Sequence, residues 1–240
     1  MKRVCLLIWL SLIVCLSISM HSFAQSLTVE YNFGHGDYDM EKMKDLLGAG
    51  HLPAANAEVT DNFPGYLTQD ARIGFEWKRH HAGVLFTYMN TAGRRGIGDY
   101  SGSCYFTVRN KGYKSGGFYR FRLANEKLGP VSFQPYLQAS AGVVLNRVSE
   151  KYDFNFNDAP DKSSRNVYRQ SGTNFFVEPA FGIKFGFCRY VALNVSIAYE
   201  WDAVKKLGYV GEANYVPASN VDWSGYRAQA GLIFYLNLKK

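Results

Sequence analysis

The sequence predicts an all-β chain, folded as an eight-stranded antiparallel transmembrane β-barrel with short periplasmic turns and long extracellular loops. Three observations predict it. Segments of about a dozen residues alternate between apolar and small or charged side chains, the period of a strand with two unlike faces. Eight such segments can be counted, an even number, and the links between them alternate in length. Past residue 24 no stretch approaches the roughly 18 consecutive apolar residues that a spanning helix needs.

The N-terminus is set apart from this pattern. Lys2 and Arg3 precede an apolar run over residues 4–18 that ends in small residues around Ser22 and Ala24. That is the layout of a cleaved secretory signal peptide, residues 1–24, leaving 25–240 as the barrel domain. Cleavage takes the formal net charge from +7 to +5, with 25 Lys+Arg left against 20 Asp+Glu. So slight an excess on an exported chain argues for no nucleic-acid partner. At 47% hydrophobic and 20% charged, the chain is neither a disordered tail nor a disulfide-stapled miniprotein. Cys104 and Cys188 remain after cleavage, expected on opposite sides of the membrane and some ~25 Å apart. A disulfide reaches only ~7 Å, so both thiols are expected to be free.

The elements follow in order. Over residues 27–34, Leu27, Val29, Tyr31 and Phe33 face one way and Thr28, Glu30 and Asn32 the other. Over 71–78, Ile73, Phe75 and Trp77 oppose Arg72, Glu76 and Lys78, and over 82–89, Val84, Phe86 and Tyr88 oppose Gly83 and Thr87. Tyr119, Phe121 and Leu123 oppose Arg120 and Arg122; Phe133, Leu137, Val143 and Leu145 oppose Gln134, Gln138 and Ser140. In 175–187 the odd positions are wholly apolar, whereas Glu178 and Lys184 lie on the even side. Val191, Leu193, Val195, Ile197, Tyr199 and Trp201 oppose Asn194, Ser196 and Glu200. The last segment sets Tyr226, Leu232, Phe234 and Leu236 against Arg227 and Gln229, with Ile233 and Tyr235 breaking its polar face. Short links fall at 79–80, 126–129 and 188–189, and long ones at 35–64, 90–115, 147–172 and 202–222.

Solvent decides which face is outside. Eight strands leave an interior just wide enough for side chains, too narrow for Trp77, Trp201 and this many Phe rings together. The apolar face must therefore meet lipid, and only a closed sheet pairs every backbone group there. The inward face then carries Glu30, Arg72, Glu76, Lys78, Arg120, Arg122, Glu178, Lys184, Glu200 and Arg227, expected to form a salt-bridged plug rather than an ion path or an acid/base pair. Trp77, Tyr88, Tyr119, Tyr190, Tyr199, Trp201, Trp223 and Tyr226 stand near strand ends, where amphipathic rings fix the height of a barrel in its bilayer.

Catalytic chemistry finds little support. His35 and His51 are placed in the first long loop, and His80 and His81 in a periplasmic turn with Lys78 and Arg79. No His-x-Ser pair shares a strand face, and His35-Gly36-Asp37 is too generic to define a site. No metal site, cofactor or nucleotide loop is expected. The working surface should be the long loops. Met40, Met43 and Leu47 line one face of a helix over 39–48, started by Asp39, ended by Gly48 and packed over the barrel mouth. Residues 35–64 carry two Lys against six Asp+Glu, and 90–115 carry Arg94, Arg95, Arg109, Lys111 and Lys114 against Asp99. Such a basic loop suits lipopolysaccharide phosphates or the acidic loop beside it.

Alternation and loop asymmetry over residues 25–240 resemble the small outer-membrane β-barrel proteins, the group like the OmpA transmembrane domain, also called the porin family. The resemblance implies residence in the cell outer membrane of a Gram-negative envelope and a structural or surface-interaction role with a filled lumen. A narrow channel is the alternative, and a lipid A-modifying enzyme the remoter one. The implied partners are outer-membrane lipid and lipopolysaccharide, the barrel-insertion machinery and an extracellular ligand at the long loops. Family members usually end on an aromatic residue, whereas here Tyr235 is followed by Leu236-Asn237-Leu238-Lys239-Lys240.

Overall fold

A computed structural model describes residues 26–49, 57–157, 161, 163–203, 208–209 and 220–237. The signal segment, His51 and the last three residues lie outside them. In chain order the elements are β1 (Ser26–Tyr38), α1 (Glu41–Ala49), β2 (Glu58–Asn62), β3 (Tyr66–Trp77), β4 (His80–Asp99), β5 (Gly102–Arg122), β6 (Glu126–Leu128), β7 (Val131–Phe156), β8 (Ser164–Gly186), β9 (Val191–Ala203), β10 (Gly208–Tyr209) and β11 (Gly225–Asn237).

Eight strands close a ring. Antiparallel pairing runs β1-β3-β4-β5-β7-β8-β9-β11 and returns from β11 to β1, while β2, β6 and β10 are short additions to β4, β7 and β8. The stagger can be read from the register. Starting at Ser26 and crossing Glu76, His81, Arg120, Gln138, Ala180, Ala198 and Arg227, the path re-enters β1 at Gly36, ten positions along. Closure with that stagger tilts the strands by about 40° and leaves a bore that side chains can fill.

The alternation sorts as lipid and lumen demand. Phe33, Ile73, Val84, Leu137, Phe175, Ile197 and Leu232 are exposed on the outside, and Asn32, Arg72, Thr87, Gln138, Asn174, Asn194 and Gln229, of opposite parity on the same strands, are buried inside. The wall presents apolar side chains outward while every strand of the ring is paired on both edges. It is a membrane-spanning barrel.

The long links differ from expectation. Residues 90–115 and 147–172 are chiefly strand: β4 continues to Asp99 and β5 resumes at Gly102, and β7 reaches Phe156 before β8 starts at Ser164. Beyond the lipid band the outward side chains are mostly polar and the inward ones mix polar groups with Phe106, Val108 and Val148, so no apolar alternation marks these extensions, yet the backbone ladder continues unbroken. His35 and Asp37 likewise belong to β1 and point outward. The opposite rim has a Lys78-Arg79 turn, with Lys78 in the left-handed region at φ 52°, and a Phe187–Tyr190 connection. Both thiols are free, Cys104 opposite Ile97 near an extension tip and Cys188 in that connection.

Candidate functional site

The lumen is built in three ionic groups beneath an apolar plug. Nearest the short turns, Glu76 receives Arg122 at 3.2 Å and Lys184 at 2.8 Å, and the Arg122 guanidinium also donates to the Lys78 carbonyl. At mid-depth Arg120 donates to Glu30 at 3.0 Å and stacks 4.1 Å from the centre of the Tyr136 ring. Arg72 lies 2.6 Å from Asp70, and its two remaining nitrogens donate to Gln138 and Gln229 at 2.8 and 3.0 Å. Above these, Lys114 and Arg227 both contact Glu178 and Glu200, with Lys114 at 2.8 Å and Arg227 at 3.1 Å from Glu200.

Thus six cations, Arg72, Lys114, Arg120, Arg122, Lys184 and Arg227, stand against five acids, Glu30, Asp70, Glu76, Glu178 and Glu200. Each charge taken from water is offset by partners within reach, the condition on which a buried ion persists. Amides and hydroxyls donate to further carboxylate oxygens: Asn32 bridges Glu30 and Asp70 at 2.8 and 3.0 Å, Thr87 donates to Asp70 at 2.7 Å, and Asn194 donates to Glu30 at 2.9 Å. At the short-turn mouth the remaining cavity is only about 10 Å³, room for one water at most.

Four residues differ from the sequence expectation here. Lys78 is exposed in the turn rather than turned inward, because β3 ends at Trp77 and the chain reverses at once. Its place is taken by Lys114, fully buried, which the polar run Arg109-Asn110-Lys111-Gly112-Tyr113-Lys114 hid because neither face of that run is apolar. Asp70 was missed for the same reason, lying in Thr68-Gln69-Asp70 just before the clear alternation of β3 begins. His81 is also inside, 2.7 Å from the Thr28 hydroxyl, since β4 begins at His80 and not after the pair.

The upper lumen is apolar. Met43 and Leu47 of α1 and Met40 just before it are fully buried against Phe63, Leu85, Met89, Phe106, Val108, Val144, Val148 and Phe176. Helix α1 therefore fills the mouth rather than lying over it, and its first intrahelical bond, Lys44 N–H to the Met40 carbonyl at 2.9 Å, makes Met40 rather than Asp39 the capping position. Trp223 belongs to this plug and not to the membrane interface: it is buried, its indole N–H donates to Asn146 at 2.6 Å, and its ring meets Tyr38 edge-on at 4.8 Å. The chain before β11 turns into the mouth, which carries Trp223 inward with Val221.

The other seven of these aromatics stand on the outer wall in two belts. At the lower rim Trp77 stacks on His80 at 5.6 Å, His80 Nδ1 lies 2.6 Å from the Tyr119 hydroxyl, and Arg189 lies over Tyr190 at 4.6 Å. At the upper rim Tyr199 contacts Trp201 at 5.0 Å and Tyr226 at 4.8 Å, and Tyr88 pairs with Tyr113 at 5.5 Å. Among the described residues, no three His, Cys, Asp or Glu side chains come together as a metal-binding group.

No protein-family model and no curated protein matches the chain. Among solved structures, OprG from Pseudomonas aeruginosa is similar at 10% identity and a TM-score of 0.45, over 90% of this chain and 97% of that one. Neisserial surface protein A is similar at 13% identity and 0.39, over 87% and 96%. The outer membrane protease OmpT from Escherichia coli is similar at 11% identity and 0.32, over 88% and 95%. What the chain resembles, in these comparisons, is small outer-membrane β-barrel proteins.

Proposed function

We propose that the exported chain, freed of residues 1–24 and placed by the barrel-insertion machinery, works as a sealed outer-membrane barrel with a structural or surface-interaction role. Its outward extensions are the working surface. The reading is carried by the filled lumen: three ionic groups and an apolar plug of buried side chains succeed one another along the axis. His35 and Asp37, the rim pair nearest to a catalytic constellation, lie on the outer face of β1.

Planar-bilayer recording tests the seal. The mature protein is expected to give no steady openings, and openings abolished by changing Arg120 or Glu178 would replace this reading by a narrow channel. Lipid A mass profiles from cells with and without the protein are expected to match, and a lost or added acyl chain would make it an enzyme. Orientation is read with Tyr100→Cys at the exposed β4–β5 tip, in a chain whose Cys104 and Cys188 are replaced by Ser. A membrane-impermeant maleimide should label it on intact cells.

A further inference from the structure

On the outer wall of the extension, β4, β5, β7 and β8 shape a groove of about 640 Å³ that carries Arg94, Arg109, Lys151, Arg165 and Arg169. Two acids share it. Asp61 accepts the Tyr66 hydroxyl at 3.1 Å, and Asp153 pairs with Lys151 and lies 3.5 Å from Arg165. Among the described residues, Arg109 and Arg169 have no carboxylate within ion-pair distance, and Arg94 is stacked 3.8 Å from the Tyr105 ring. The groove thus keeps an excess of cations whose guanidinium forks are free to grip an anion.

We propose that this groove binds the phosphates of a phosphorylated glycolipid in the surrounding leaflet, lipid A in an outer membrane. Its height on the wall is the argument. Height can be followed along single strands: on β5 the outward positions rise from Ser115, beside Phe86, through Tyr113 and Lys111 to Arg109, on β7 from Leu145 through Arg147 to Lys151, and on β8 from Phe175 to Arg169. Each step is two residues, ~6.6 Å along a strand and about 5 Å of height at a ~40° tilt. Cations therefore begin one step above the tyrosines that mark the interface, which is where glycolipid phosphates lie. The guanidinium of Arg147 already leans on the Tyr113 ring, 5.5 Å from its centre. Among the described residues, the β4–β5 tip is lined by Asp99, Ser101 and Phe156 with no cation beside them. Planar forks meet phosphate oxygens two at a time, a match that a lone lysine cannot make.

The proposal rests on the reading that this rim faces the outer leaflet, and the maleimide labelling of Tyr100→Cys tests that reading independently. Binding is measured by native mass spectrometry of the mature chain released from detergent micelles. The probes are bisphosphoryl lipid A, the same lipid A without its phosphates, and a soluble sulfated oligosaccharide. Bisphosphoryl lipid A is expected to stay bound and the dephosphorylated form to leave. The pair Arg109→Glu and Arg169→Glu should weaken binding roughly tenfold or more, while Lys127→Glu on the opposite rim should leave it unchanged. Folding of each variant is checked by its gel mobility before and after heating. If the Glu pair fails to fold, Arg109→Gln with Arg169→Gln takes its place. Equal retention of both lipid A forms, unweakened binding in the folded variants, or preference for the sulfated oligosaccharide would each overturn the proposal.

Discussion

Lys114 shows how much one side chain decides. It is fully buried, holds Glu178 and Glu200 together with Arg227, and has its ammonium 4.1 Å from the centre of the Phe176 ring, where the ionic lumen gives way to the apolar plug. Lys114→Met would leave Arg227 alone between two carboxylates, and breaking such a buried set costs about 3–5 kcal/mol. Urea unfolding of the protein in lipid vesicles should show that loss, and adding Glu178→Gln should recover part of it; equal losses in the single and double variants would disprove the coupling. A second residue-scale prediction concerns pH. Asp202 lies past Trp201, above the lipid band, and burial pushes its carboxyl up to about 6 against the hydrogen bonds from Asn174 and the Trp223 N–H; Asp222 beside it raises it further and Lys114 lowers it. Because the folded value is raised above the unfolded one near 3.8, its contribution to stability is complete below pH 3.8 and is lost as pH rises through about 6. Asp202→Asn should flatten the unfolding midpoint between those two values, and a slope identical to that of the parent protein would refute the assignment.

At the scale of elements, α1 is held by packing rather than by propensity, since nine residues are too few to persist as a free helix in water. Its buried apolar side chains, with Met40 just before it, close the mouth. Met43→Asp would place a charge among Phe and Met side chains without a partner, at a cost of several kcal/mol. The expected result is local: amides of 41–49 should exchange quickly, while heat-modifiable gel mobility stays that of a folded barrel. Loss of the barrel itself would show that α1 is part of the closure and not an insert into it. The helix was legible in Met40, Met43 and Leu47 because a 3.6-residue spacing survives in water or in a core. Its depth was not legible, because the side chains that receive it, Phe106 and Val108 among them, sit in a stretch of β5 that reads as a polar loop. Alternation is plain only where one face is uniformly apolar, so the spanning halves of β4, β5, β7 and β8 could be read and their extensions, polar outside and mixed inside, could not. The inward charges were readable as residues, whereas their partners, fixed by a stagger of ten positions around the ring, were not.

For the whole molecule, closure is the property that everything else presumes, and it can be separated from the extensions by two truncations of similar size. Residues 97–104 form the β4–β5 tip, outside the lipid band, where each pairs only within its own hairpin and with β7. Replacing them with Asn-Gly leaves Gly96 opposite Tyr105, a connection that a two-residue turn can make. Phe106 and Val108 stay in the plug, so the barrel should insert and show the gel shift of the parent chain. Residues 230–237 also number eight, yet they pair with β1 on one side and β9 on the other, from Phe33 down to Ser26 and from Val191 up to Val195. Removing them opens both neighbours to hydrocarbon, where each unpaired backbone group costs several kcal/mol and no water is present to compensate. That deletion should abolish insertion into vesicles altogether. If instead both truncated chains inserted alike, the ring would not be what holds this protein in a bilayer, and the lipid-facing rows of Phe, Ile and Val would need another cover.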